Sequence, residues 1–151
     1  MLTIRIETVN YHFHKDGSLP QRSDTIIVFG SNKAGRHGAG SALIAKQKFG
    51  AIYGNGYGLQ GRSYAVPTKD GRPDTPNLRD PAATLPLPEI KQYIEQFIQY
   101  AKDHPDNRFF VFRLGCQLAI HKDADIAPMF ANSPLNCSFP EEWASYLQYK
   151  D

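Results

Sequence analysis

The 151-residue sequence has few cysteines, little net charge and no long apolar run, and each absence excludes a class of protein. Cys116 and Cys137 are too few for a disulfide framework, and neither belongs to a CxxC pair typical of zinc sites. No run approaches the ~20 apolar residues of a membrane span, and no basic N-terminus followed by an apolar leader is present. A net charge of +2 does not indicate a protein that coats polyanions. We expect one soluble, cytoplasmic domain without metal or cofactor.

Acidic residues are missing from one long segment. Residues 25–69 contain no Asp or Glu, yet nine of the twelve glycines lie there. The segment carries six cations, namely Lys33, Arg36, Lys46, Lys48, Arg62 and Lys69. Local positive charge and a permissive backbone together favour binding of a phosphorylated small molecule. The lack of carboxylates argues against magnesium chelation by the same segment.

Apolar patterns predict strands and helices that alternate along the chain. Short runs rich in β-branched and aromatic residues predict strands at 2–9, 25–29, 63–66, 108–114 and 136–139. Helical spacing predicts helices at 41–49, 89–103 and 123–130, the last capped by Asp123, and another from Pro140. Residues 11–24 and the proline-rich stretch 70–86 are predicted loops. The alternation is typical of a single α/β domain.

A glycine-rich loop, residues 30–40, joins the first buried strand to a helix. This position places the loop at the carboxyl end of the sheet, where ligands bind in open α/β folds. Unpaired N–H groups of residues 40–43, around the start of the helix, would face a bound phosphate. A tight strand-to-helix turn is the alternative explanation for the glycines. Neither GxGxxG nor GxxxxGK[ST] is present, so neither a dinucleotide fingerprint nor a P-loop is predicted.

Three side chains of this loop are candidates for ligand binding or catalysis, and each has a functional and a structural interpretation. Asn32 is predicted either to hydrogen-bond a ribose or to hold the loop in a turn. Arg36 is either an anion contact or a solvated side chain. His37 is an acid/base, a phosphate donor or a stacking group in one interpretation, and a structural residue in the other. Asn32 and His37 are therefore the candidate catalytic residues.

Five short motifs resemble a known family in their order. They are Ile26-Ile27-Val28-Phe29-Gly30-Ser31-Asn32, His37-Gly38-Ala39-Gly40, Lys48-Phe49-Gly50, Tyr64-Ala65-Val66-Pro67-Thr68 and Phe110-Val111-Phe112-Arg113-Leu114-Gly115-Cys116. From residue 25 to about residue 143 the chain resembles a divergent macro domain. It is similar in particular to small bacterial and phage-associated macro-like proteins with Phe-Gly-Ser-Asn, His-Gly-x-Gly and Tyr-Ala-x-Pro-Thr signatures.

The resemblance implies a three-layer α/β/α sandwich with a mixed central sheet and a cleft that binds ADP-ribose or a related nucleotide. It assigns Asn32 to the distal ribose, Gly38-Ala39-Gly40 to the diphosphate and residues 115–119 to a second phosphate-side loop. The ligand-binding residues expected from the pattern and the resemblance are Gly30, Ser31, Asn32, Arg36, His37, Gly38, Ala39, Gly40, Ser41, Tyr57, Pro67, Thr68, Gly115, Cys116, Gln117, Leu118 and Ala119.

The chain departs from hydrolytic macro domains in a way that favours binding over catalysis. Ala42 stands where one class of ADP-ribosyl hydrolases carries an Asp, so the usual general base is missing. Gln117 and Ile120 stand where small residues would let the second loop close on a diphosphate. Nucleotide binding is therefore the first hypothesis and ADP-ribosyl hydrolysis the alternative.

Two further side chains are candidates for the site, and one further function is considered. Cys116 is a packed small residue or a nucleophile with His121 as its base. Tyr57, flanked by glycines, is a candidate for stacking on adenine. Binding of single-stranded nucleic acid ranks last, because the glycines indicate a compact pocket rather than a groove.

Overall fold

The computed structural model of the protein describes residues 7–71, 83–116 and 121–150. Its elements in chain order are β1 (Glu7–Thr8), β2 (His12–His14), β3 (Ile26–Asn32), α1 (Gly40–Lys48), β4 (Gly58–Gln60), β5 (Ser63–Lys69), α2 (Leu87–Asp103), β6 (Phe109–Val111), α3 (Asp123–Ile126), β7 (Cys137–Pro140), α4 (Ala144–Leu147) and β8 (Tyr149–Lys150). Two 3-10 turns, Ala127–Phe130 and Glu141–Trp143, continue α3 and precede α4.

Six of these strands form one mixed sheet in the order β2-β7-β6-β3-β5-β4. All neighbours are parallel except β4, which pairs antiparallel with β5. β3 lies between β6 and β5, so the carboxyl ends of these three strands meet at one edge of the sheet. The predicted α/β class with a mixed sheet is confirmed, and the three-layer sandwich stays a prediction.

Buried side chains of β3 alternate between two hydrophobic clusters, as the pleat of a strand requires. Val28 joins the larger cluster, which contains the apolar stripe of α2, whereas Ile27 and Phe29 join a smaller cluster with Ala42 and Ala45 of α1. The stripe of α2 has the 3.6-residue period expected of an amphipathic helix. α1 and α2 thus pack against opposite sides of β3, and the sheet fixes where the Gly-rich loop emerges.

Two predicted boundaries in the centre of the sheet are wrong. β3 continues through Gly30 to Asn32, and β5 continues through Pro67 to Lys69 instead of ending at Val66. β4 pairs only with residues 63–65 of β5, so Pro67 lies beyond the stretch that has a partner on both sides. The missing N–H of a proline is tolerated at such an edge position.

The predicted loop at residues 11–24 is also wrong in part, because it contains the edge strand β2. This three-residue strand has no apolar alternation and pairs in parallel with β7, from a distant part of the sequence. Local pattern cannot indicate a strand that is formed by such long-range pairing.

The remaining elements differ from the predictions mainly at their ends. α2 begins two residues earlier than predicted, and β6 is confined to Phe109–Val111. Asp123 is the first residue of α3 rather than its cap, since Lys122 occupies the N-cap position. Among the described residues β1 pairs only with β8, and residues 2–6 of the predicted first strand and 72–82 of the predicted loop lie outside the described residues. Within the described ranges, no helix is long and apolar enough to cross a membrane.

Candidate functional site

The carboxyl ends of β3, β5 and β6 bring together residues that are far apart in the sequence. A Cβ added to Gly30 would lie 3.3 Å from Leu114 Cβ and 3.4 Å from Thr68 Oγ1. The Thr68 hydroxyl donates a hydrogen bond to the Ser31 carbonyl oxygen at 3.4 Å, and Ser31 pairs with Pro67 in the ladder. Gly30, Ser31, Pro67 and Thr68, all predicted ligand residues, therefore form one contiguous edge, and Gly115 follows Leu114 directly.

Asn32 closes the start of the Gly-rich loop with both groups of its carboxamide. Its Nδ2 donates to the Arg36 carbonyl oxygen, and its Oδ1 accepts from the Arg36 N–H, both at 2.9 Å. The side chain is only 5% exposed. This geometry supports the interpretation in which Asn32 holds a turn, and its contact with a ribose stays a prediction.

His37 fastens the same loop to the segment that leads into β4. Its Nε2 lies 2.9 Å from the Asn55 carbonyl oxygen and 3.3 Å from Gln60 Oε1. Both partners are acceptors, since Gln60 Oε1 already accepts from the Ile52 N–H, so Nε2 carries the proton. The ring is 0% exposed and packs edge-on against Phe29. The geometry gives His37 a structural role, and its part in catalysis stays a prediction.

Two loops interlock at this edge. The Ser31 hydroxyl donates to the Gly56 carbonyl oxygen, and the Gly54 N–H donates to the Gly35 carbonyl oxygen at 2.9 Å. A Cβ on Gly56 would lie 2.8 Å from the Lys33 carbonyl carbon, which is closer than real side chains approach. The loop after β3 is thus held by residues 54–56 without space between the two backbones.

The loop then opens towards solvent before α1. Gly38 is exposed, and a Cβ added to it would meet no atom within 4 Å. α1 begins after Ala39 without a side-chain cap, and its first turn contains no acidic residue. The first N–H groups of a helix have no partner within the helix, and they carry the positive end of its dipole. Gly38, Ala39, Gly40 and Ser41 therefore present an open, positively polarised helix end.

Glu89 supplies a carboxylate that the sequence of the loop itself lacks. It reaches from the first turn of α2 to the Lys33 ammonium group, with 2.5 Å between Nζ and Oε2. This hydrogen-bonded carboxylate raises the pKa of Lys33. Lys69, at the end of β5, is only 6% exposed. The Lys33–Glu89 ion pair therefore makes the local excess of positive charge smaller than the sequence of residues 25–69 indicates.

Tyr57 lies on the α2 side of the loop junction. The Tyr57 hydroxyl donates to Gln96 Oε1 of α2, and its ring centroid is 5.7 Å from that of Tyr93. The side chain is 45% exposed, so one part of the ring faces solvent. The neighbouring Gly56 contacts Lys33, which places Tyr57 beside the predicted site, and its stacking role stays a prediction.

Only the first two residues of the predicted second loop, residues 115–119, are described. Gly115 has a φ of +78° and Cys116 follows it, whereas Gln117, Leu118 and Ala119 lie outside the described residues. Beyond the gap, the Asp123 carboxylate accepts from Arg113 Nε at 2.9 Å and from Trp143 Nε1 at 2.8 Å. The Arg113 guanidinium holds the pKa of Asp123 at about 2. This ion pair anchors the residues that follow the loop to the end of β6.

Cys116 has the environment of a packed thiol rather than a nucleophile. Its Sγ donates to the Leu114 carbonyl oxygen at 3.4 Å. Burial, and after it the Asp123 carboxylate, raises the pKa of the Cys116 thiol to about 12. His121, the predicted base, directs its Nε2 to the Leu85 carbonyl oxygen at 2.9 Å. The geometry therefore supports the packing interpretation of Cys116.

We expect iodoacetamide to alkylate the native protein at neutral pH at least about 100-fold more slowly than the urea-unfolded chain, because only a thiolate reacts. Burial also raises the pKa of Cys137 to about 12, so both thiols are protected. Mass spectrometry of quenched time points measures the two rates. Rapid labelling of Cys116 in the native protein would contradict the packing interpretation.

A cavity of about 570 Å³ lies at the amino ends of the parallel strands, at the other end of these strands from the predicted site. Thr25, Arg108 and Asn136, which immediately precede β3, β6 and β7, belong to its lining. None of the predicted ligand-binding residues that the structure describes lines this cavity. The predicted site and the cavity therefore occupy opposite ends of the parallel strands.

Comparison of the chain with protein-family models and with curated proteins found no match.

Proposed function

We propose that the carboxyl edge of β3, β5 and β6 binds ADP-ribose or a related phosphorylated nucleotide. The observation that carries this proposal is the convergence of these strand ends at the open end of α1, beside the uncovered Gly38. A diphosphate at this place would accept hydrogen bonds from the first N–H groups of α1. Ligands of open α/β folds bind at this end of the parallel strands.

Charge and side-chain partners favour binding without turnover. The first turn of α1 has no acidic residue to repel a phosphate, and Ala42 replaces the acid of hydrolytic relatives of the resembled family. Asn32 and His37 are engaged with backbone groups of the loop, so neither is poised to activate water. The ligand is therefore expected to be retained unchanged.

Titration calorimetry with ADP-ribose, with a turnover assay on an ADP-ribosylated protein, tests the proposal. We expect heat of binding and no release of ADP-ribose. At a ligand concentration about 100-fold above Kd, binding adds about 2.7 kcal/mol to the free energy of unfolding, which raises Tm by roughly 5–10 °C in a chain of this length. No shift with ADP-ribose, ADP or NAD at millimolar concentration would refute the proposal, and product release would favour the hydrolase.

The Gly38→Leu variant tests the proposed phosphate site without changing the stability of the fold. Gly38 has open space around its Cα and no positive φ, so we expect an unchanged Tm without ligand. The added side chain would occupy the space before α1 that a diphosphate needs, and ADP-ribose should bind at least about tenfold more weakly.

Asn132→Leu is the matched control, because Asn132 is exposed in a turn before β7 and its variant adds similar apolar bulk elsewhere. Calorimetry should give this control the affinity of the wild type. Equal affinity of Gly38→Leu and the control would exclude the open end of α1 as the phosphate site.

A further inference from the structure

A second feature of residues 25–69 is a cluster of cations and exposed apolar side chains at the other end of α1. We define the Tyr53 surface as Lys46, Ile52, Tyr53 and Arg62. The Lys46 ammonium group lies 5.1 Å from the centre of the Tyr53 ring. The nine residues of α1 rise about 13 Å, so this surface is well separated from the open N-terminus of the helix.

The loops that carry this surface are held together by backbone contacts. The Arg62 N–H donates to the Phe49 carbonyl oxygen at 2.8 Å, and the Arg62 guanidinium lies 5.2 Å from the centre of the Phe49 ring. A Cβ on Gly61 would approach Gly50 Cα to 2.8 Å. Lys46 and Phe49 are one helical turn apart, so the two cation–ring pairs are neighbours. The surface is therefore a fixed arrangement rather than a set of independent side chains.

The apolar members of the surface face solvent. Tyr53 is 58% and Ile52 is 56% exposed, although large apolar side chains are usually buried. Lys46 and Arg62 are exposed as well, and neither belongs to an ion pair between described residues. Neighbouring large apolar side chains that face solvent are typical of a surface that binds a partner.

We propose that the Tyr53 surface binds single-stranded nucleic acid. Bases stack on Tyr53 while the phosphates contact Lys46 and Arg62, which is how proteins hold single strands without reading sequence. A second copy of the chain is disfavoured as the occupant, because a symmetric dimer would place the same two cations of each copy close together. The sequence alone favours a compact pocket because of its glycines, but α1 separates the Gly-rich loop from this surface.

Fluorescence anisotropy with a labelled oligodeoxythymidine of about ten nucleotides tests this proposal. Two neutralised phosphates give a slope of log K against log salt of about −1.4 for a single strand. We expect the magnitude of this slope to fall by about 0.7 in Lys46→Gln. Salt-independent binding would overturn the proposal, and so would an unchanged slope in that variant.

Tyr53→Ala should weaken oligonucleotide binding by about 5-fold to about 100-fold through the loss of base stacking, and Tyr53→Phe should retain the wild-type affinity. Tyr146→Ala, which removes a tyrosine that is also exposed, is the matched control and should have no effect. Thermal melting verifies that each variant is folded. Equal affinities of Tyr53→Ala and Tyr146→Ala would overturn the proposal.

Binding at this surface is independent of the proposed nucleotide site, and competition separates the two. Saturating ADP-ribose and the Gly38→Leu variant should both leave oligonucleotide affinity unchanged. Displacement of the oligonucleotide by ADP-ribose would overturn the proposal by placing the strand in the cleft. Sedimentation velocity that finds a dimer disrupted by Tyr53→Ala, with no oligonucleotide binding, would identify a second copy as the occupant instead.

Discussion

Gly56→Ala is expected to lower the free energy of unfolding by about 3–5 kcal/mol, the range of the most damaging single substitutions. A Cβ at this position would lie 2.8 Å from both the carbonyl carbon and the carbonyl oxygen of Lys33, and closer still to the Asn32 carbonyl oxygen. These are backbone atoms, which cannot move aside as the end of a flexible side chain does. The end of β3 would have to shift, and the Asn32 pairing with Arg36 would shift with it. Urea unfolding measures the change.

Two other glycines of the same region serve as controls for this substitution. Gly38→Ala adds a Cβ without a clash and without a positive φ, and its stability should lie within about 0.5 kcal/mol of the wild type. Gly54→Ala also has free space, but its φ of +93° costs about 1–2 kcal/mol for a residue with a Cβ. If Gly56→Ala unfolds at the same urea concentration as Gly38→Ala, residues 54–56 do not hold the loop after β3.

The interlocked loops bear on the proposed function. A loop that is fixed before the ligand arrives loses little conformational entropy on binding, which increases affinity. Asn32 and His37, the two candidate catalytic residues, provide much of this fixation through their bonds to Arg36 and Asn55. Substituting either residue would thus weaken ligand binding through the loop, so loss of binding in such a variant does not by itself identify a ligand contact.

The parts of the fold that were predictable are those specified by local pattern. The apolar run from Ile26 identifies β3, because a strand that is buried on both faces has apolar residues at successive positions. The spacing of Ile90, Ile94 and Phe97 identifies α2, because a helix that is buried on one face has apolar residues three or four positions apart. The place of the Gly-rich loop at the carboxyl edge followed from the order strand, loop, helix. These features are local, and the structure confirms them.

The features that were missed depend on partners far away in the sequence. Glu89 reaches Lys33 from another element, and its only trace in the sequence is an acidic residue in the first turn of a helix. The choice between the two interpretations of Asn32 depended on the position of Arg36 in three dimensions. β2 exists because β7 lies beside it, and its histidines and phenylalanine gave no pattern.

His14 of β2, which sequence reasoning passed over, makes the fold sensitive to mild acid. Its Nε2 lies 2.8 Å from the Val111 carbonyl oxygen, so that nitrogen carries the proton and Nδ1 accepts from the Ser138 hydroxyl at 2.6 Å. The ring stacks on Phe110 with 3.6 Å between centroids. Burial lowers the pKa of His14 to about 4, although the Val111 carbonyl and Asp16 act in the opposite direction.

Stability should therefore fall as the pH decreases from about 6.5 to about 4, the interval between the ordinary and the folded pKa of His14. In this interval the unfolded chain binds a proton on His14 and the folded protein does not, so protonation favours unfolding. The full shift corresponds to about 3 kcal/mol, and screening by solvent at the partly exposed ring reduces the expected loss to about 2 kcal/mol. Urea unfolding at pH values across this interval measures it.

The double variant His14→Phe/Ser138→Ala isolates this contribution from those of other groups. Phe retains the stack on Phe110, and Ala removes the hydroxyl that would otherwise lose its acceptor. Between neutral pH and pH 4, the free energy of unfolding should fall by about 2 kcal/mol less in the variant than in the wild type, whatever the stability of the variant at neutral pH. Parallel pH profiles of the two proteins would mean that His14 binds its proton equally in the folded and unfolded states, and would contradict this prediction.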